Sequence, residues 1–186
     1  MSRVRAIELA AASGAAGSQV RLSINFMPNA VYEPAACIRS TLTAAAKVGF
    51  DPKRIVFEFT ENEPLDVAHV GHIVTEYKRM GFRTALDDFG AGYASLNLLA
   101  QFQPDIIKID MELIRDVNSS ASRQAIIGGI MAISQALEIT VIAEGVETYE
   151  EVQALRAMGI QIFQGFYFGR PAVEGLPAVS AVHGFT

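Results

Sequence analysis

The chain has 186 residues, of which 51% are hydrophobic and 19% charged, and its formal net charge is −5. This composition is typical of one compact globular domain and excludes a disordered chain. With an acidic balance and no run of Lys or Arg, a surface for duplex nucleic acid or an anionic membrane is not expected. Cys37 is the only cysteine, which excludes an internal disulfide and a thiolate zinc site and fits a reducing cytoplasm. We expect no membrane segment, since no apolar stretch has the length of a span.

Strand-like and helix-like patterns alternate along the chain. The expected helices cover 3–13, 34–49, the stretch after Pro64 to Met80, a short segment from about Ser95, a segment that starts at Ser119 and Ser120, and 149–158. The expected strands cover 20–25, 55–60, 82 to the Asp87–Asp88 pair, 106–110, 140–143 and 160–168. This alternation predicts an α/β fold with parallel strands and right-handed crossovers. Residues 172–186 form a weakly patterned tail.

Two adjacent carboxylates, Asp87 and Asp88, follow the apolar run 84–86 and precede a glycine-rich turn. They are therefore expected at the carboxyl end of a buried strand. Neighbouring carboxylates repel each other unless a cation neutralises them, and oxygen ligands favour Mg²⁺ or Mn²⁺. The alternative is structural, with Asp87 capping the turn and Asp88 in solvent.

Other polar residues also fall at or near the carboxyl ends of predicted strands, where α/β folds place their sites. Together with the aspartate pair they are Asn25, Glu58, Asp87, Asp88, Lys108, Asp110, Glu144 and Gln164. Singly, each has a structural explanation, such as a turn former, a surface carboxylate or an ion pair between Lys108 and Asp110. Together, several carboxylates around one centre require metal, because burying unpaired charge costs several kcal/mol per group. Two ions, bridged by Asp87, would suit displacement at phosphorus, with Lys108 acting on water or phosphate.

Six short motifs follow one another along the chain: Ser23-Ile24-Asn25, Glu58-Phe59-Thr60-Glu61, Asp87-Asp88-Phe89-Gly90-Ala91-Gly92-Tyr93, Lys108-Ile109-Asp110, Ala143-Glu144-Gly145-Val146-Glu147 and Gln164-Gly165. In order and spacing they resemble the signature of the EAL domain family of bacterial cyclic di-GMP phosphodiesterases. The resemblance implies a modified TIM (β/α) barrel over residues 1–171, followed by the tail. It also implies hydrolysis of cyclic di-GMP to linear pGpG with two Mg²⁺ or Mn²⁺ ions.

Matched position by position, the resemblance implies a role for each residue. Asn25, Glu58 and Asp87 would bind the first metal, and Asp87 and Asp88 the second. Glu144 would hold the second metal or its water, and Lys108 would serve the attacking water. Gln164 would contact that water or the substrate, and Asp110 the substrate. Glu61 would anchor the loop that contains Phe89, Gly90, Gly92 and Tyr93, which couples metal binding to dimerisation in the family.

The sequence departs from the family pattern in two places. The Glu-Ala-Leu motif itself is missing, so we expect a barrel that lacks about its first two strands, one glutamate ligand and a phosphate-binding arginine. Ala94 stands where many members have a serine. Exposed sheet edges would then favour a homodimer or higher oligomer. Three functions remain: an active phosphodiesterase, an inactive receptor for cyclic di-GMP or a protein partner, and a structural module that assembles through its strands.

Overall fold

The computed structural model describes residues 3–15, 19–60, 66–91, 95–173 and 175. Helices and strands alternate through these residues. The helices are α1 (Arg3–Ala12), α2 (Pro34–Val48), α3 (Val67–Arg79), α4 (Ser95–Gln101), α5 (Met111–Ile114), α6 (Ala121–Ala136) and α7 (Tyr149–Ala157). The strands are β1 (Leu22–Asn25), β2 (Ile55–Thr60), β3 (Arg83–Phe89), β4 (Ile106–Ile109), β5 (Thr140–Ala143) and β6 (Ile162–Phe163). These strands hydrogen-bond in chain order in one sheet, which confirms the α/β class. Among the described helices, none is long and apolar enough to cross a bilayer.

The chain forms two compact units. The first comprises Met1–Leu86 and Leu96–Asp105. In it β1 and β2 run parallel, with Leu22 opposite Ile55 and Asn25 opposite Glu58. Helix α3 begins after Asp66, whose carboxylate accepts hydrogen bonds from the amides of Ala68 and His69 and so satisfies two of the unpaired N–H groups of the first turn.

Aromatic side chains fill the core of the first unit. Phe57 of β2 contacts Tyr77 of α3, with ring centroids 4.9 Å apart, and Phe82 at 5.3 Å. Phe59 and Phe102 extend the same cluster. All of these rings are at most 6% exposed. Burial of such large apolar side chains is the main stabilising term in a core of this kind.

The second unit comprises Asp87–Ser95 and Ile106–Thr186. Strand β3 belongs to both units, since Leu86 ends the first and Asp87 begins the second. Strands β4, β5 and β6 run parallel, and Ile109 lies opposite Ala143. Because parallel strands end at one edge of a sheet, the residues that follow β3, β4 and β5 come close together.

The predicted strand at 160–168 is wrong beyond Phe163. The chain turns instead, with the amides of Phe168 and Gly169 donating to the carbonyl of Gly165. The Gly165 Cα lies so close to the Val146 backbone that a Cβ would overlap with it. A tertiary contact therefore ends a segment whose aromatic content favours a strand.

Two elements show details that the sequence pattern alone does not give. The predicted helix after Ser120 is confirmed as α6, and of its evenly spaced apolar residues Ile126, Ile130, Ile133 and Leu137 only Ile130 is buried. Ile126 is 50% exposed, and the buried side carries Ile127 and Ile130. The predicted strand 106–110 ends at Ile109, because Asp110 starts the short helix α5 by accepting from the amide of Glu112.

Candidate functional site

The carboxyl end of β3 carries Asp87 and Asp88 in the second unit. Asp88 has a φ of 54°, a left-handed conformation that Asp tolerates better than most residues. Its amide donates to Oδ1 of Asp87 over 3.2 Å, and its carbonyl accepts from Ala91 over 3.1 Å. The strand therefore ends in a tight turn that presents both carboxylates. Phe89 is buried and Gly90 has a φ of 99°.

Lys108 of β4 lies between two carboxylates. Its Nζ is 2.9 Å from Oδ1 of Asp87 and 2.6 Å from Oε1 of Glu144, the residue after β5. The lysine side chain is 6% exposed and each carboxylate 14%. Ion pairs with so little solvent contact are screened far less than surface pairs. Lys108 thus fixes the ends of three consecutive strands to one charged centre.

The buried environment of this centre changes the titration of Glu144. Burial raises the pKa of its carboxyl to about 7, the Lys108 ammonium opposes this rise, and the Asp87 carboxylate adds to it. The amide of Glu144 donates to the carbonyl of Ile109 over 3.1 Å, which ties the residue to the end of β4. Burial therefore shifts Glu144 towards its protonated form relative to a carboxyl in water.

Three carboxylates of the second unit can reach one ion. One oxygen from each of Asp87, Asp88 and Glu144 lies within 4.8 Å of the other two, and among the described residues no other group of three acidic, His or Cys ligands meets this condition. When ionised, these three groups and the Lys108 ammonium carry a net charge of −2. Hard oxygen donors with this charge suit a divalent ion such as Mg²⁺ or Mn²⁺, so the residues present fit the predicted cofactor.

The loop after β5 has little room to move. Gly145 has a φ of 65°, and a Cβ at this position would overlap with the Cβ of Met111 in α5. Glu147 forms an exposed ion pair with Arg115 over 3.5 Å. The loop therefore packs directly against the segment that follows Lys108 and Asp110.

The structure distributes the remaining predicted residues over both units. Asn25 and Glu58 are opposite each other on β1 and β2 of the first unit; Glu58 is 6% exposed and Asn25 is exposed. In the second unit, the Asp110 carboxylate caps α5. Gln164 is exposed, and its backbone N–H donates to the carbonyl of Ala143. Grouping Asn25, Glu58 and Asp87 around one ion stays a prediction, as do substrate contacts of Asp110 and Gln164.

Three of the predicted loop residues, Glu61, Gly92 and Tyr93, lie outside the described residues. Conversely, Glu151 is not among the predicted site residues, although it is only 5% exposed and contacts the loop that follows Glu144. The Thr148-x-x-Glu151 spacing is that of a helix capping box, which is the one signal in the sequence that could have identified it.

Residues 2–171 match the family model of the EAL domain. The chain belongs to the EAL domain family. The solved structure of a standalone versatile EAL protein from Vibrio cholerae O395, in its c-di-GMP bound form, is 49% identical, with a TM-score of 0.89 over 95% of this chain and 74% of that one. The expected EAL-type barrel fold is thereby confirmed.

Two further similar proteins have names that state a bound ligand or a role. The Klebsiella pneumoniae BlrP1 manganese/cy-diGMP complex at pH 6 is 37% identical and has a TM-score of 0.86, over 95% of this chain and 44% of that one. The blue light- and temperature-regulated antirepressor BluF of Escherichia coli is 38% identical over 86% of this chain and 40% of its own length.

Three other E. coli relatives, 32% to 39% identical, are named as cyclic di-GMP phosphodiesterases, two of them as probable. They match 64% to 81% of this chain. This EAL domain spans 17% to 22% of their length. It therefore corresponds to less than half the length of these curated relatives and of BluF.

Proposed function

We propose that this EAL domain hydrolyses one phosphodiester bond of cyclic di-GMP, using Mg²⁺ or Mn²⁺. Water would add across one P–O bond of the cyclic dinucleotide and open it to linear pGpG. The observation that supports this activity is the cluster of Asp87, Asp88 and Glu144 around the buried Lys108. Names and ligands of the related proteins supply the substrate class.

The three carboxylates would hold the metal. A bound divalent ion would supply positive charge next to the phosphate oxygens and would lower the pKa of a coordinated water. Asp87 and Asp88 approach from the end of β3 and Glu144 from the end of β5, so the backbone brings the donors together before any ion arrives. Such preorganisation avoids ordering the donors at the moment of binding.

Lys108 would act on the substrate side of the same centre. An ammonium has three N–H donors and no lone pair, so it cannot bind metal but can donate to a water or a phosphate oxygen. Its two ion pairs, at 2.9 Å and 2.6 Å, fix the direction of its side chain. We assign Lys108 the orientation of the attacking water and neutralisation of phosphate charge.

The remaining assignments rest on the family resemblance. We propose Asn25 and Glu58 as metal ligands and Asp110 and Gln164 as substrate contacts. Glu61, Phe89, Gly90, Gly92 and Tyr93 would form the loop that links metal binding to dimerisation. The lone Cys37 suits a reducing compartment, so we propose a cytoplasmic homodimer, which native mass spectrometry with and without Mg²⁺ would test.

The test is an assay in which the 186-residue chain is incubated with cyclic di-GMP in the presence of Mn²⁺, Mg²⁺ or EDTA. Chromatography then measures the pGpG that is formed. We expect metal-dependent turnover that is absent in E144Q. Calorimetric binding of cyclic di-GMP without turnover would instead support the receptor function, and absence of both binding and turnover would support a structural module.

A further inference from the structure

Glu151 is a buried carboxylate outside the candidate metal cluster. It is the third residue of α7, and its side chain and that of Thr148 form a capping box. Oε2 of Glu151 accepts from the Thr148 amide over 3.1 Å, and Oγ1 of Thr148 accepts from the Glu151 amide over 3.2 Å. These two bonds alone would make Glu151 an ordinary helix cap.

Two additional contacts extend beyond the helix. Oε2 of Glu151 also accepts from the amide of Glu147 over 2.9 Å, and Oε1 accepts from the amide of Asp116 over 3.1 Å. Asp116 lies 35 residues earlier, in the turn after α5, with a φ of 54°. One carboxylate thus binds three backbone N–H groups from two separate loops.

Those two loops follow the strands that place Lys108 and Glu144 in the candidate site. One leads from Glu144 through Glu147 into α7, and the other continues from Lys108 and Asp110 through α5. A further contact between the two loops, the ion pair between Arg115 and Glu147, is about half exposed and contributes little. Glu151 is only 5% exposed. Its carboxylate accepts hydrogen bonds from three backbone N–H groups, which would lose this acceptor without it.

We propose that Glu151 is a positioning residue, which holds the Glu144 loop against the β4–α6 connection and so keeps Glu144 in reach of the metal. The proposal rests on the proposed function for the identity of the bound ion. Without the carboxylate, three N–H groups lose their acceptor, and the loop would shift to hydrate them. Glu144 follows directly on β5, so such a shift would move its carboxylate away from Asp87 and Asp88.

Calorimetric titration of the 186-residue chain with Mn²⁺ tests this role. We expect E151A to weaken Mn²⁺ binding by about 10- to 100-fold, the usual effect of losing a group that orients a metal ligand. E151Q should lie between wild type and E151A, because its amide oxygen can replace Oε2 while its NH₂ group faces the Asp116 amide. The matched control is D66A, which removes a carboxylate cap from α3 in the first unit.

Thermal unfolding of the same variants separates positioning from general destabilisation. D66A and E151A both lose a helix cap, but D66A should bind Mn²⁺ as wild type does. Equal losses of affinity in the two variants, or none in E151A, would overturn the proposal.

Amide hydrogen exchange of the metal-free proteins supplies a readout that does not depend on the proposed function. We expect faster exchange at residues 144–148 and at Asp116 in E151A, and unchanged exchange there in D66A. This pattern would support the positioning role even if wild type failed to bind Mn²⁺, a result that would count against the proposed function alone. Unchanged exchange at these residues in E151A would overturn the inference.

Discussion

The Nζ atom of Lys108 lies 2.6 Å from Oε1 of Glu144, so a β4 side chain is joined directly to the residue that follows β5. The same Nζ is 2.9 Å from Oδ1 of Asp87. One buried ammonium therefore separates two carboxylates that would otherwise face each other. Its removal should affect both the chemistry of the site and the stability of the fold.

We expect K108M to lower the rate of pGpG formation by at least about 100-fold, the size of effect typical for loss of a group that handles a proton or water. In EDTA it should also reduce the free energy of unfolding by about 3–5 kcal/mol, because it leaves buried carboxylates without their cation. Turnover assays and urea unfolding measure the two effects. K47M, which removes an exposed lysine of α2, should change neither. Equal activity of K108M and K47M would refute the role of Lys108.

The pH dependence of stability follows from Glu144. Since burial raises the pKa of its carboxyl to about 7, the protonated form is favoured in the folded state. The contribution of Glu144 to the free energy of unfolding is therefore fully present below the unfolded pKa of about 4.5 and is lost as pH rises through about 7. The free energy of unfolding changes by at most about 3 kcal/mol in total.

Urea unfolding in EDTA between pH 5 and pH 9 would measure this change. Wild type should lose stability relative to E144Q as pH rises, because the glutamine cannot ionise. Added Mn²⁺ should reverse the loss, since the metal binds the ionised carboxylate. Parallel stability curves for the two proteins would show that Glu144 is not the group responsible.

Substitution of Asp88 by asparagine separates the effect of the carboxylate charge from that of the left-handed backbone conformation. We expect D88N to weaken Mn²⁺ binding by at least about tenfold, because an amide replaces a carboxylate ligand, while the fold remains stable, since Asn also tolerates a positive φ. Isothermal calorimetry measures the affinity. The matched control is D116N, at a second aspartate with a φ of 54° that lies outside the carboxylate cluster. A loss of affinity in D116N equal to that in D88N would argue against Asp88 as a ligand.

Gly145 should tolerate no side chain. In G145A the new Cβ would overlap with Met111, and its φ of 65° would add backbone strain, so we expect a loss of about 2 kcal/mol or more in urea unfolding. G129A is the control, because a Cβ at this position of α6 meets nothing within 4 Å. It should stabilise the helix by up to about 1 kcal/mol. Stabilisation by G145A would show that the loop after β5 is not tightly packed.

The residues of the second-unit cluster could be predicted from sequence because strand periodicity and topology place them together. Asp87, Lys108 and Glu144 each lie at or next to the end of a short apolar run, and ends of parallel strands meet. The sequence does not reveal which carboxylate Lys108 pairs with. The carboxylate of Asp110, considered as an alternative partner, caps α5.

Features that depend on contacts between distant segments could not be predicted. The aromatic stretch around Phe163 has strand propensity, yet the approach of Gly165 to Val146 turns the chain. Ile126 and Ile133 have helical spacing, but the face that α6 buries is set by the elements it packs against. Glu151 shows only a capping-box spacing, and its bond to Asp116, 35 residues away, has no local signal.

Asp110 is the only residue between the end of β4 and the start of α5, and it is engaged from both sides. Its amide donates to the carbonyl of Phe89 over 3.1 Å, and its carboxylate accepts from Glu112 over 2.8 Å. An inserted or deleted residue at this junction could preserve only one of these bonds. If the helix cap were kept, β4 would slip by one residue and Lys108 would turn to the other face of the sheet. Engineered variants of altered loop length, including fusions and circular permutants, should therefore leave this junction untouched.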